Sequence, residues 1–215
     1  GGASMGIHES QSRFYENIIG RSEAFISLIF PKIKELFPEQ FENVSAHDFY
    51  LAVNKAEPSL IRTEADELTY SMHIMVRYEI EKRLMDGSLS TKDLPNEWNR
   101  LYKEYLGIDV PCDSMGCLQD SHWSGGALGY FPSYSLGSAY GAQFLHKMKQ
   151  DIDIDKLVSE NRIDEVTAWL TEKIHKYGML LTPAQLIENA CGEEFNADYY
   201  IEYLTEKYNK IYDLK

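Results

Sequence analysis

The chain has 215 residues, of which 44% are hydrophobic and 13% aromatic, so a folded core is available. Its formal net charge of −13 comes from 34 acidic and 21 basic residues. Such a surface repels phosphate backbones and anionic lipids, and no apolar run approaches the roughly 18 residues of a membrane span. We therefore expect no nucleic-acid partner and no membrane association.

Three cysteines are present, Cys112, Cys117 and Cys191, and this low, odd number argues against a disulfide framework and favours a reducing compartment. Cys112 and Cys117 lack a second pair of ligands nearby, so we interpret them as packed thiols rather than metal ligands. Residues 1–5 look like the remnant of an expression tag, and we see no signal peptide. We expect a cytoplasmic protein whose folded domain spans residues 6–215.

The first third of the chain has helical periodicity. Apolar residues recur at near-helical spacing over residues 14–33, where we expect Pro31 to kink or divide the helix. Ser45 followed by Asp48 matches a capping box in which aspartate replaces glutamate, and it predicts a helix over residues 46–56.

The longest predicted helix lies in the middle of the chain. We expect Thr63 to cap it and Asp86-Gly87 to end it. Its predicted apolar stripe consists of Leu68, Met72, Met75, Val76, Ile80 and Leu84. His73 and Arg77 lie one turn apart on this helix, and we interpret them as packed or hydrogen-bonded residues.

The composition changes to glycine, serine and proline between residues 107 and 138. This segment contains glycines at positions 107, 116, 125, 126, 129 and 137. They predict a long ordered loop, and loops of this length are usually functional.

Strand-like alternation is visible only near Met115–Leu118. Helices are predicted elsewhere over 95–106, 138–149, 155–160, 162–177, 182–191 and 196–213, the last with an apolar stripe at Ile201, Leu204, Tyr208 and Ile211. The sequence therefore predicts an all-α fold, a multi-helix bundle with one long Gly-rich ordered loop.

Three short segments combine polar side chains with unusual backbone: H-E-S-Q at 8–11, I-R-T-E-A-D at 61–66 and G-C-L-Q-D-S-H-W at 116–123. They are followed by G-Y-F-P-S-Y-S-L-G at 129–137. In this order the segments resemble the zinc-dependent carboxypeptidases of the Taq type, peptidase family M32. The resemblance covers nearly all of residues 6–215 and implies part of a mostly helical, zincin-type peptidase.

One family motif is absent from these residues. The chain contains no H-E-x-x-H, which in this family supplies two zinc-ligating histidines and the general base. The resemblance implies that the chain is the C-terminal part of a zinc metallocarboxypeptidase that removes C-terminal residues from peptides. It also implies a homodimer for the intact enzyme. We expect the chain alone to bind no zinc and to be inactive, because a zinc site needs at least three protein ligands.

The first motif carries the expected metal ligand. By resemblance, Glu9 is the third zinc ligand of a His₂Glu site, with water in the fourth position. The structural alternative is a carboxylate stabilised by a helix N-terminus. His8 and Gln11 are expected to orient neighbouring groups rather than to bind the metal.

The second motif carries the expected substrate-binding residue. By resemblance, Arg62 holds the C-terminal carboxylate of the substrate, for which a planar guanidinium is well suited. The alternative is an ordinary ion pair with Glu64 or Asp66. Asp66 is also expected to orient Arg62.

The third motif and the glycine-rich segment carry the expected catalytic residues. His122 and Tyr134 are candidates to stabilise the oxyanion that forms when water attacks the peptide carbonyl. Tyr130 competes with Tyr134 for this role, and spacing does not decide between them. Gln119 and Asp120 are expected to fix the loop or the tautomer of His122.

A second function class is compatible with the same residues. A non-catalytic helical module could use Arg62 and nearby aromatic side chains to bind a peptide C-terminus or a partner protein without hydrolysis.

Overall fold

The computed structural model describes residues 2–214, in which all regular structure is helical, and this confirms the all-α prediction. No helix in this part of the chain is long and apolar enough to cross a membrane. The α-helices are α1 (Met5–Arg13), α2 (Glu23–Leu36), α3 (Ala46–Val53), α4 (Tyr70–Met85), α5 (Leu94–Leu106), α6 (Pro132–Asp151), α7 (Ile154–Ser159), α8 (Ile163–Lys173), α9 (Pro183–Cys191) and α10 (Asp198–Tyr212).

The chain divides into two compact units. The first comprises Gly1–Lys55 and Leu136–Lys215, and the second comprises Ala56–Ser135. One boundary therefore falls shortly after α3 and the other near the start of α6. The H-E-S-Q motif belongs to the first unit, and both other motifs belong to the second.

The first unit has a large apolar core to which most of its helices contribute. The side chains at its centre are fully buried: Phe14, Phe144, Met148, Val166, Leu170, Leu186 and Ile187. Helix α2 packs against α3 and α7. Phe30 on α2 meets Phe41 and Phe49 with ring centroids 5.8 and 5.7 Å away. Aromatic packing thus fixes α3 on α2.

The predicted capping box at the start of α3 is confirmed. Ser45 Oγ accepts a hydrogen bond from the backbone N–H of Asp48 at 3.1 Å, and the Asp48 carboxylate accepts one from the N–H of Ser45 at 2.9 Å. The helix ends at Val53, three residues before the predicted end.

The prediction that Pro31 divides its helix is wrong. Helix α2 continues through Pro31, and the break lies earlier, where a π-helical turn over Phe14–Ile19 ends and Ser22 caps α2. Proline removes the hydrogen bond to the carbonyl four residues before it. That residue is Ser27, which is exposed, so water can satisfy the carbonyl.

The second unit is built on the packing of α4 against α5. Its core contains Val76 and Ile80 from α4 and Trp98, Leu101 and Tyr102 from α5, all of them buried. The Trp98 and Tyr102 rings are stacked with centroids 5.0 Å apart. This core supports the loop that follows α5.

Helix α4 begins later than predicted. Thr63 does not cap it but lies in a 3₁₀ turn, Arg62–Glu64. The Asp66 carboxylate instead accepts hydrogen bonds from the backbone N–H and the hydroxyl of Thr69, at 2.9 and 2.7 Å. This local turn fixes the chain just before Tyr70, where the helix starts.

The buried face of α4 also differs from the predicted apolar stripe. Leu68, which precedes the helix, and Met72 and Met75 are 38 to 45% exposed. Val76 and Ile80 of the stripe are buried, but polar side chains share the buried face with them, namely His73, Arg77 and Glu81. The apolar spacing therefore predicted the buried face only in part, because that face also carries polar side chains. Buried charges are tolerated only where each has a partner.

Residues 107–131 contain one 3₁₀ turn, Asp113–Met115, and otherwise turns and bends. The strand considered near Met115–Leu118 is therefore absent.

Helix α6 starts at Pro132, six residues before the predicted start, because proline at a first helical position loses no hydrogen bond. On α10 the predicted stripe is only partly buried, since Tyr208 is enclosed but Ile201 is 61% exposed.

Candidate functional site

The second unit contains a buried ion triad in which Asp120 lies between Arg62 and Arg77. Arg62 donates to Asp120 Oδ1 from Nη2 at 2.7 Å and from Nε at 3.1 Å. Arg77 donates to Oδ2 from Nη2 at 2.5 Å and from Nε at 2.8 Å. The side chains of Asp120, Arg62 and Arg77 are only 10, 7 and 0% exposed. Two cations share one anion, so the triad carries a net positive charge in a low-dielectric setting.

The triad shows that Arg62 uses neither of the two acidic partners considered from the sequence. Neither Glu64 nor Asp66 pairs with Arg62, so those expectations are wrong; its acidic partner is Asp120, 58 residues away. The Asp66 carboxylate binds Thr69 and the backbone N–H of Glu57, at 3.1 Å for the latter. Asp66 therefore shapes the entrance to α4 and does not orient Arg62.

Arg62 retains hydrogen-bonding capacity despite its burial. Its Nη1 donates to the hydroxyl of Tyr70 at 2.9 Å, and its guanidinium carbon lies 4.9 Å from the ring centre of Tyr134 and 5.7 Å from that of Phe131. Burial alone would lower the pKa of Arg62, but the hydrogen bonds with Asp120 raise it above its usual range. A guanidinium has five N–H groups. Three of them donate to Asp120 and Tyr70, so two have no protein acceptor among residues 2–214.

Gln119 connects both arginines to the surrounding backbone. Its Oε1 accepts from the backbone N–H of Arg62 and from Nη2 of Arg77, each at 2.9 Å. Its Nε2 donates to the carbonyls of Leu60 and Met115, each at 3.0 Å. These four hydrogen bonds tie Gln119 to residues 60–62, to α4 and to Met115 of the loop itself. Such contacts are what a loop-fixing role requires.

His122 lies beside both tyrosines considered for its partner. Its Nε2 is 3.1 Å from the Tyr134 hydroxyl, within hydrogen-bonding distance, and its ring packs against that of Tyr130 with centroids 5.6 Å apart. His122 Nδ1 is 3.9 Å from Asp120 Oδ1, too far for a hydrogen bond, and has no partner although it is buried. Asp120 therefore does not fix the tautomer of His122 by a direct hydrogen bond.

The imidazole of His122 lies against Phe131, with ring centroids 4.4 Å apart. Burial lowers the pKa of His122 below its ordinary value, and the two arginine cations act in the same direction while Asp120 opposes them. The neutral ring is favoured near pH 7, and it can exchange a hydrogen bond with Tyr134 in either direction.

His73 is a buried neighbour of the triad. Its Nδ1 is 3.1 Å from the hydroxyl of Tyr102, and its carbonyl accepts from Arg77 Nη1 at 2.7 Å. Burial, reinforced by the charges of Arg77 and Arg62, lowers the pKa of His73 to about 4. These contacts confirm that His73 is a packed, hydrogen-bonded helix residue.

Glu9 lies on α1 in the first unit. Its Oε2 accepts a hydrogen bond from Ser12 Oγ at 2.8 Å. Opposite it, α6 approaches so closely that a Cβ added to Gly137 would lie 2.6 Å from the Cβ of Glu9. The first turn of α1 contains no acidic residue, and Glu9 is the fifth residue of the helix. The helix-dipole alternative for Glu9 therefore does not fit, since that effect fades within one turn.

His8 and Gln11 border a cavity of about 390 Å³ in the first unit. Gln11 Oε1 is 2.8 Å from Nε2 of His175, and Gln11 Nε2 donates to Ser10 Oγ at 3.0 Å. The side chain of His8 is exposed. No group of three or more histidine, cysteine or acidic residues with metal-binding geometry occurs among residues 2–214. The described residues therefore do not by themselves form a zinc site.

Several residues of these clusters were not foreseen as functional. Arg77, Tyr70 and Glu81 lie beside the expected site residues, and His175 contacts Gln11. A signal for Arg77 existed, because charged residues at positions 77 and 81 recur on one face of a long helix. Nothing local could reveal His175, which is 164 residues from its partner.

The fold and the polar clusters can be compared with known proteins. The model of the family described as carboxypeptidase Taq (M32) metallopeptidase matches residues 1–208. Carboxypeptidase 1 of Bacillus subtilis is 50% identical over 212 residues, covering 98% of this chain and 42% of that protein. Thermostable carboxypeptidase 1 of Pyrococcus furiosus is 44% identical, covering 97% of this chain and 42% of that protein. The crystal structure of the M32 carboxypeptidase from Deinococcus radiodurans R1 matches with a TM-score of 0.94 at 39% identity, covering 99% of this chain and 43% of that one.

The all-α architecture is thus that of a metallopeptidase family. The chain belongs to the carboxypeptidase Taq (M32) family. It spans about 42% of the length of the curated relatives that it matches.

The close approach of α1 and α6 makes a prediction for Gly137. We expect Gly137→Ala to destabilise the first unit by about 1–3 kcal/mol, because the new Cβ meets the backbone of Glu9 rather than a flexible side chain. Gly141→Ala is the matched control one turn later, where the nearest atom would be 3.5 Å away. Urea unfolding of both variants measures the difference. Equal stabilities would show that α1 and α6 are not held this closely.

The burial of His73 makes a prediction for pH dependence. The unfolded chain protonates this histidine near pH 6.5 and the folded chain only near 4, so protons favour unfolding. The contribution of neutral His73 to stability is complete above pH 6.5 and is lost as the pH falls toward 4. At about 1.4 kcal/mol per pH unit, the full loss is about 3 kcal/mol.

Urea unfolding between pH 7 and pH 4 tests this expectation. His73→Asn keeps a hydrogen-bond donor near Tyr102, whose hydroxyl donates to the carbonyl of Leu60. It should remove this part of the pH dependence, whereas His8→Gln on the surface should retain it. The prediction fails if the unmodified chain and the His73→Asn variant lose stability in parallel.

Proposed function

We propose that this chain is the part of a metallocarboxypeptidase that recognises the C-terminal carboxylate of a peptide. The observation that carries the proposal is the state of Arg62, which is charged, buried, locked by Asp120 and still able to donate two hydrogen bonds. A pre-oriented guanidinium binds a carboxylate with charge-assisted, bidentate hydrogen bonds. Recognition of the terminal carboxylate directs a peptidase to the C-terminal end of its substrate, as a carboxypeptidase requires.

His122 and Tyr134 are proposed to stabilise the negative charge that develops on the carbonyl oxygen during hydrolysis. Their mutual hydrogen bond of 3.1 Å and the contact of Tyr134 with the Arg62 guanidinium support this assignment. Donors aimed at a developing charge in a water-poor site are often the largest catalytic contribution. Tyr130 is proposed as an aromatic wall against His122, and Gln119 and Asp120 as the residues that keep Arg62 in place.

Zinc is the proposed metal, and Glu9 is proposed as one of its ligands. Family membership supports a metal, and a carboxylate is a suitable third ligand in a catalytic zinc site. Because residues 2–214 contain no three-ligand group, we assign no step of the reaction to a metal held by this chain alone. Peptide substrates, a homodimer and a cytoplasmic location are proposed with the family resemblance as their support.

Binding to the 215-residue chain tests the carboxylate assignment. An acetylated dipeptide with a free carboxylate should bind about tenfold more tightly than its amide, because charge-assisted hydrogen bonds are lost in the amide. Arg62→Lys, which keeps the charge but not the fork, should abolish most of this preference. Arg100→Met removes an exposed arginine of the same unit and is the control. Equal binding of acid and amide by the unmodified chain would refute the proposal.

A second measurement concerns hydrolysis. With zinc added, the 215-residue chain should release no C-terminal residue from the same dipeptide, because its sequence contains no H-E-x-x-H. Amino-acid release at a rate comparable with a full-length relative would contradict this expectation.

A further inference from the structure

The loop that carries His122 is held by two charged residues of α4. Arg77 and Glu81 are four positions apart, so both lie on the same face of the helix. Both are buried, with 0 and 5% of their surface exposed. Neither belongs to the three motifs, and each binds the loop on a different side of His122.

Arg77 holds the residues that precede His122. It binds Asp120 with two nitrogens and Gln119 with one, as described above. Its guanidinium carbon lies 4.6 Å from the ring centre of Trp98 and 5.2 Å from that of Phe131. Arg77 therefore contacts two aromatic rings, and its orientation is restrained by these contacts as well as by charge.

Glu81 holds the residues that follow His122. Its Oε1 accepts a hydrogen bond from Trp123 Nε1 at 2.8 Å and another from the backbone N–H of Gly129 at 3.1 Å. Gly129 has a φ of +76°, a conformation that glycine adopts without strain. One carboxylate oxygen thus joins both ends of the segment 123–129, which separates His122 from Tyr130, Phe131 and Tyr134 along the chain.

Stability alone is a poor explanation for these two buried charges. Burying an ion costs several kcal/mol before its partners compensate, and an apolar pair of similar size is often at least as stable. What the charges add is direction, because an arginine fork and a carboxylate accept only a few geometries. All their loop contacts converge on the residues that flank His122.

We propose that Arg77 and Glu81 are positioning residues that hold His122 against Tyr134, and that Arg77, through Asp120, also holds Arg62. This inference rests on the proposed function, in which Arg62 and His122 serve the substrate. It assigns separate effects to the two residues. Without the Glu81 hydrogen bonds, His122 alone should lose its fixed position. Without the bidentate hydrogen bonds of Arg77, both His122 and Arg62 should lose theirs.

The experiment uses the 215-residue chain with ¹⁵N-labelled histidine. His122→Gln assigns the His122 ring signals, and Tyr134→Phe gives the signature of a lost His122–Tyr134 hydrogen bond. We expect Glu81→Ala and Arg77→Lys to move the His122 signals to the Tyr134→Phe values. Glu81→Gln should retain the unmodified signals, because an amide oxygen can accept both hydrogen bonds. Glu79→Ala is the control, since Glu79 lies on the same helix and pairs with the exposed Lys82.

Carboxylate binding separates the two roles. Glu81→Ala should keep the roughly tenfold preference for the acid over the amide, whereas Arg77→Lys should reduce it to within about twofold. Unchanged His122 signals in folded Glu81→Ala and Arg77→Lys variants would overturn the proposal. Should Glu81→Ala fail to fold, Trp123→Phe removes only one donor to Glu81, and unchanged His122 signals in that variant would overturn it equally.

Failure of the proposed function gives a different result. If the unmodified chain binds acid and amide equally, the carboxylate assignment is wrong, but the His122 signals of the same variants still decide whether Arg77 and Glu81 position the ring.

Discussion

The carboxylate of Asp120 is the group on which the second unit depends. It is the acidic partner of two arginines that are almost completely removed from water. Taking one partner out of such an arrangement leaves a buried charge uncompensated, which typically costs 3–5 kcal/mol. Because Arg77 belongs to α4, Arg62 to the turn before it and Asp120 to the long loop, one carboxylate fixes three separate segments. The pKa of Asp120 is lowered accordingly: burial would raise it, but the arginine hydrogen bonds and charges outweigh burial.

The first unit positions its functional candidate by a different means. Glu9 is fixed by the approach of two helix backbones, which Gly137 permits because it has no side chain. Close packing of this kind resists small displacements, since a methyl group has no free volume to enter. Hydrogen-bonded ion pairs thus restrain side chains in the second unit, whereas close helix packing restrains the backbone at Glu9 in the first unit.

The charge of the whole chain and the charge of the site have opposite signs. A net charge of −13 disfavours polyanionic partners, yet the buried triad carries an excess positive charge. Local field rather than net charge decides what a site attracts, because screening in water removes the effect of distant surface charges within about 10 Å. An acidic protein can therefore present a cationic group to a carboxylate.

The sequence alone determined the all-α fold, the order of the motifs and the Ser45/Asp48 capping box, because these depend on helical periodicity and on residues within four positions of each other. It also identified Arg62, His122 and Tyr134 as residues of interest through their motifs. Only the tertiary structure decided that Arg62 pairs with Asp120 and that the Tyr134 hydroxyl lies within hydrogen-bonding distance of His122. Arg62 and Asp120 are 58 residues apart and are brought together by tertiary packing. Local sequence spacing does not specify which of several acidic or tyrosine side chains will contact a given residue.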